Sequence, residues 1–584
     1  MKKFIKNIFS TLIGILLSFF VIVLLFIGII SLVSNLDNKT QKVKENTILK
    51  IDLSNEVVER SSSNPFDGVN LMNPEPKKQI GLNTILDNIE KAKNDDNIIA
   101  IYLYSPIVNA GLSKTEEIRN KLLEFKETGK PIISYNEVYS PKSYYLSSVA
   151  NKLFLNPQGG IDHRGLSATL MFFKGMLEKL NIDLQIFKVG KFKSAVEPFI
   201  LEKMSSANRV QLEKLLNSFS ENMYDSIANQ RNLSLEQVQS DADLLKLTSA
   251  KICQELGYVD GLIYEDQIED TLKLLSSDKK LNIISLNKYK SVKGEKKDIS
   301  RNKIAVIYAN GEINSGKGDI SSIGSKTTSA AIKKAREDKN VKAIVLRVNS
   351  PGGSALASDV IWRETILAKE AKPLVVSMGD YAASGGYYIA CAADKIVANP
   401  TTLTGSIGVF GMVPNMKEFY KTNFGITFDT VNTNKYSDMG MNRKLSIFEK
   451  NKIQLGVEDI YEVFISKVGS GRNMNTDAVD DIGQGRVWSG YDAKKIGLVD
   501  IYGGLEKAIS TAASLAELDD FRVISLPKQE DPVTQIINDL KQTSLSDILI
   551  NDFDFKSLKN IKTIKKLTKS DKIQARIPFI LNLE

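Results

Sequence analysis

Histidine is almost missing from this 584-residue chain: His163 is the only one. A Ser-His-Asp triad, or any histidine-rich metal site, would have to be built on that single ring. Cysteine is nearly as scarce, with Cys253 and Cys391 alone. They make no metal-spaced cluster and no disulfide framework, so both read as buried thiols. No strong excess of one charge is present either. The net charge of +8 comes from 77 basic against 69 acidic residues, too small a margin to argue for nucleic acid. No cofactor motif stands out, because the best glycine-rich loop lacks the Gly-Lys-Ser/Thr ending of a phosphate-binding loop. What remains is an ordinary globular composition, 42% hydrophobic and 25% charged, long enough for several domain-sized units.

Charge is absent over one long run. Thirty residues between Lys6 and Asp37 carry none and are mostly Leu, Ile, Phe and Val. About 20 apolar residues span a bilayer, whereas a cleavable signal has a shorter apolar region and a small-residue cleavage site. Residues 8–34 therefore read as a transmembrane anchor. Lys2, Lys3 and Lys6 orient residues 1–7 toward the cytoplasm, which puts the rest of the chain on the far side, the periplasm of a double-membrane bacterium.

The remainder is a duplication at an offset of 243 residues. Tyr144-Tyr145 matches Tyr387-Tyr388, Asn156-Pro157 matches Asn399-Pro400, and Gly165 matches Gly408. IEKAKNDDNIIAI matches IKKAREDKNVKAI at the same offset. In each copy, strand and helix patterns alternate as in parallel βαβ-type units, which makes the fold α/β. The copies span 46–295 and 300–526, with a lysine-rich tail over 527–584 that reads as a solvated segment rather than a binding site.

The copies differ where chemistry is expected. Ser384, in AASGGYYIA, sits at a loop-to-helix junction before two glycines, and Pro141 takes its position in the first copy. A serine there can attack a carbonyl if a base takes its proton and fixed N–H donors hold the oxyanion. The loop RVNSPGGS (Arg347–Ser354) offers such donors, and its counterpart YSPIVNAG has lost the paired glycines. One live site per chain follows. His163 falls in the serine-less copy, opposite Ser406, and reads as structural, so the base must be another residue. A neutral, buried lysine can serve. Lys193, in KVGKFKSAVEPF of the first copy, faces Ser437 in the second; spacing alone does not single it out among the many lysines.

Five motifs in order, FKSAVEPF, RVNSPGGS, AASGGYYIA, ANPTTLTGSIGVFG and RVWSGYDAKKIGLVD, resemble the signal peptide peptidase A family, also called protease IV, in its long tandem bacterial form. The resemblance implies two ClpP/crotonase-like domains of repeated ββα units, the first carrying a catalytic lysine and the second a nucleophilic serine. It implies a Ser-Lys dyad of Ser384 and Lys193, with Ser406 hydrogen-bonding the lysine. Backbone amides of Gly353 and Gly385 would form the oxyanion hole. Signal peptides and other apolar peptides would be the substrates, inner-membrane lipid a neighbour, and a homotetramer the assembly, with no cofactor or metal. A crotonase-like acyl-CoA enzyme, the alternative on such a fold, would need a carboxylate acid/base and a cytoplasmic location.

Overall fold

The computed structural model describes scattered residues between 6 and 21, then 43–62, 79–276, 279–292, 300–529 and 573–577. The anchor expected over 8–34 lies mostly outside the described residues. Among those described, no helix is long and apolar enough to cross a membrane.

Each half is built on a mostly parallel sheet, and the strand orders correspond. In the first half the strands lie in the order Gly261–Leu262, Lys152–Ile161, Ile132–Tyr139, Ile98–Leu103, Thr47–Ile51, Asn282–Ser285. In the second, Leu374–Ala383, Val341–Ser350, Lys303–Asn310 and Arg522–Leu526 repeat the last four places, and Lys395–Ala398 and Ile501–Tyr502 repeat the first two. Central strands read as apolar runs because helices cover both faces. Ile344, Val345, Leu346 and Val348 are all buried. The duplicated helices Leu82–Asn94 and Ser325–Glu337 bury matching stripes at helical spacing, Ile85, Ile89 and Ala92 in one and Thr328, Ile332 and Ala335 in the other.

The two halves form one body. Arg347, on a central strand of the second, is fully buried between Glu59 and Glu117 of the first, at 2.8 and 2.6 Å. The other Glu117 oxygen accepts from Leu505 N at 2.8 Å. Removing Glu117 leaves Arg347 paired with Glu59 but takes away its second charged hydrogen bond and the acceptor of Leu505 N. Glu117→Ala should therefore destabilise the chain by about 1.5–3 kcal/mol in denaturant unfolding, and a midpoint shift near zero would show that the triad does not hold the halves together.

A third sheet draws on both halves. Its order is Ser322–Gly324, Glu312–Asn314, Gly352–Ser354, Ile573–Arg576, Phe410–Asn415, Asp183–Lys188. The last of these comes from the first half and runs antiparallel to Phe410–Asn415 over six residue pairs. The tail was expected to be solvated, yet Ile573–Arg576 is a strand inside this sheet. Four residues, with Gln574 and Ala575 buried side by side, are too few to signal a strand by pattern; two waiting edges make them one.

Candidate active site

Ser384 stands between the Leu374–Ala383 strand and the Gly385–Ala390 helix. Its φ of 56° and ψ of −113° are costly for any residue with a Cβ. Surrounding bonds impose them: Ser384 N donates to Gly405 O, and Tyr388 N donates to Ser384 O, both at 2.8 Å. The glycines that follow allow close packing under the Arg347–Ser354 loop. A Cβ on Gly385 would lie 2.7 Å from Ser358 Oγ, and one on Gly386 would lie 2.8 Å from Ser350 O.

Lys193 follows the Asp183–Lys188 strand, whose pairing with Phe410–Asn415 carries it into the second half. Its Nζ lies 2.8 Å from Ser384 Oγ, 3.1 Å from Ser406 Oγ and 3.3 Å from Ser406 O. Lys193, Ser384 and Ser406 are all fully buried. Among the described residues no carboxylate pairs with the amine, and burial holds its pKa well below the ordinary lysine range.

The contacts suit a neutral amine, which has two N–H donors and one lone pair. Ser406 O can only accept. Ser406 Oγ donates to Gly485 O at 3.3 Å, so it too accepts from Nζ. Ser384 Oγ lies within reach of both Nζ, at 2.8 Å, and Gly408 O, at 3.3 Å. When its hydroxyl turns from Gly408 O to Nζ, both amine N–H bonds are used and the lone pair receives the serine proton. That arrangement can remove the hydroxyl proton.

Two glycines beside the lysine have no role in the sequence reading, where Gly408 enters only as the match of Gly165 and Gly485 not at all. A Cβ on Gly485 (φ 79°) would lie 2.6 Å from Lys193 Cα, and one on Gly408 would lie 3.3 Å from Lys193 Cδ. Only the DIGQGR spacing, two glycines flanking one residue, could have signalled a close backbone approach. Gly353 and Gly385 come together: a Cβ on Gly385 would be 3.2 Å from Gly353 N. In the first half Pro141 opens a helix capped by Ser140. His163 Nε2 donates to Val238 O at 2.9 Å, and the ring packs on Tyr224 and Tyr258.

A buried serine 2.8 Å from a buried amine whose pKa burial holds low, beside the backbone of Gly353 and Gly385, has the make-up of a serine hydrolase site. The profile of peptidase family S49 matches residues 124–279 and 366–519. Protease 4 of Salmonella typhi is 37% identical over 522 residues, covering 87% of this chain and 84% of that protein. Serine protease SPPA, chloroplastic, of Arabidopsis thaliana is 32% identical over 552 residues, covering 93% and 79%. Likeness to solved structures is slighter. A 1510-N membrane-bound stomatin-specific protease in complex with a substrate peptide overlaps 41% of this chain and all of its own, at 16% identity and a TM-score of 0.27. The chain belongs to peptidase family S49 and is a serine protease of the Protease 4 type, with two S49 repeats.

Proposed function

We propose that this protein is a membrane-anchored serine endopeptidase in which Ser384 is the nucleophile and Lys193 the general base. Each half (46–295 and 300–526) is a ClpP/crotonase-like unit, and neither can act alone. As Ser384 Oγ attacks a peptide carbonyl, Lys193 takes its proton. The amides of Gly353 and Gly385 hold the oxyanion, and the ammonium protonates the leaving amine. Water then repeats the cycle and frees the acyl group. Ser406 holds the lysine in position.

The observation that carries this reading is the 2.8 Å approach of a buried, carboxylate-free lysine to a strained serine. Cleaved signal peptides are the proposed substrates, degraded on the outer side of the inner membrane by a homotetramer anchored through 8–34. In support, the described residues among 6–21 are helical, and Leu12, Ile13, Ile15 and Phe20 expose their side chains.

The test is hydrolysis of an apolar peptide ester by the detergent-solubilised chain. Protonated Lys193 cannot accept a proton and its pKa lies below the usual value, so kcat/KM should rise as pH climbs through that lowered pKa and then level. A flat profile from acid to alkaline pH would remove the lysine base. Gly485→Ala tests the lysine's seat. A Cβ there pushes on the Lys193 backbone, and a displacement of about 1 Å costs on the order of 10²-fold in kcat/KM. Full activity in that variant would show that the seat is not needed.

A further inference from the structure

Lys193 stands on a turn between the Asp183–Lys188 strand and a short 3-10 helix that begins at Ser194. On one side the turn is held by backbone: Phe192 N donates to Gln484 O at 3.0 Å and Lys193 N to Gly190 O at 3.3 Å. On the other side a single amide holds it. Gln211, 1% exposed on the Ser206–Arg231 helix, donates from Nε2 to Phe192 O at 3.2 Å and to Ser194 Oγ at 3.0 Å. These are the residues immediately before and after the lysine. Gln211 Oε1 accepts from Val487 N at 3.2 Å. Val487 lies opposite Gly405, whose carbonyl takes the Ser384 N–H, and Arg486 O takes the Ser406 N–H at 2.7 Å. One buried side chain thus joins the segment that carries the amine to the strand that seats both serines.

The amide cannot be turned round. Glu197 Oε2 accepts from Ser205 N and from Asn208 Nδ2, so Asn208 presents its Oδ1 to Gln211. Gln211 Nε2 supplies the donor that this oxygen needs, at 3.0 Å, which leaves Oε1 for Val487 N, a group that only donates. Each role in the chain from Glu197 to Val487 is fixed by the one before it. Hydrogen bonds are the directional contacts at this seam; Lys214 meets it over the ring of Trp488, and Arg486 over the rings of Trp488 and Phe192. Two turns along the helix, Ser218 Oγ donates to Ser489 Oγ at 2.7 Å. That bond ties the same helix to the same strand without involving the lysine's turn.

We propose that Gln211 is a positioning residue of the peptidase site, which sets where Lys193 Nζ meets Ser384 Oγ. The inference rests on the Ser-Lys reading above. An ammonium or amine on a flexible four-carbon stem goes where its backbone is clamped. Gln211 clamps that backbone before and after the lysine, against the strand from which Ser384 and Ser406 are hung. Without the clamp the turn can shift, and Nζ moves off the line between Ser406 O and Ser384 Oγ. The amine then gains water, and burial no longer holds its pKa as far down.

Steady-state hydrolysis of a peptide ester across pH, by the detergent-solubilised full chain, tests the proposal. Gln211→Met keeps the volume and removes the bonds to Phe192, Ser194, Asn208 and Val487. For a displacement of about 1 Å, kcat should fall on the order of 10²-fold. KM should hardly change, and the rising limb of kcat/KM should move to higher pH. Ser218→Ala, which cuts the neighbouring bond between helix and strand, should lower the melting temperature and leave kcat and the limb alone. Wild-type kcat with an unmoved limb in folded Gln211→Met would overturn the proposal. Equal losses in Ser218→Ala would overturn it too, because loosening the helix would then be enough. If Gln211→Met does not melt cooperatively, Gln211→Glu decides by the same two readings, since it keeps the acceptor for Val487 N and loses the donor. A flat pH profile in the wild type removes the Ser-Lys reading itself. A wild-type limb that the folded Gln211 variant leaves in place removes this inference alone.

Discussion

Lys193→Met should cut peptide-ester turnover by about 10⁴-fold or more, the scale of loss when a serine is deprived of its base. Methionine fills nearly the same volume without an amine. The fold should survive, because the groups around Nζ have other partners. Ser406 Oγ donates to Gly485 O and Ser384 Oγ to Gly408 O, each at 3.3 Å. Melting temperature should hold or rise, since a fully buried amine with no counter-charge is a desolvation cost that methionine removes. Retained turnover would eliminate Lys193 as the base; lost turnover with an unfolded chain would point to a structural role instead.

Ser384→Ala should be as severe in rate, and it should abolish labelling by a serine-acylating reagent. A single adduct by intact mass in wild type, and none in the variant, is the expected pair of results. An adduct that persists in Ser384→Ala would assign the nucleophile elsewhere. A companion substitution separates chemistry from strain. Alanine keeps the Cβ that makes φ 56° costly, whereas glycine does not. Ser384→Gly should therefore be equally inactive but about 1–3 kcal/mol more stable than Ser384→Ala. Equal stabilities would mean that the turn stores no strain.

Sequence reasoning went furthest where one local pattern carries the information. The Ser384 turn, the paired glycines at 352–353 and the duplicated strand-helix units are all visible within a few residues of themselves. Lys193 is different. It sits 191 residues from Ser384, in a segment whose own composition says little, and only the resemblance of five ordered motifs singled it out. The third sheet was not legible at all. Its strands are three to six residues long and come from both halves and the tail, so their pairing is a product of tertiary structure. For the same reason Ile573–Arg576 reads as solvated tail in the sequence, and only the DIGQGR spacing marks Gly485, whose missing side chain makes room for the lysine.

The antiparallel pairing of Asp183–Lys188 with Phe410–Asn415 also sets a clock. At synthesis rates of about 5–20 residues per second, Lys193 leaves the ribosome roughly 10–40 seconds before Ser384. During that interval the first half is complete in outline but has no partner strand to carry its lysine anywhere. On the proposed mechanism a nascent chain therefore holds only half of the reacting pair, and the half-made protein is harmless to its neighbours until its last large unit has emerged.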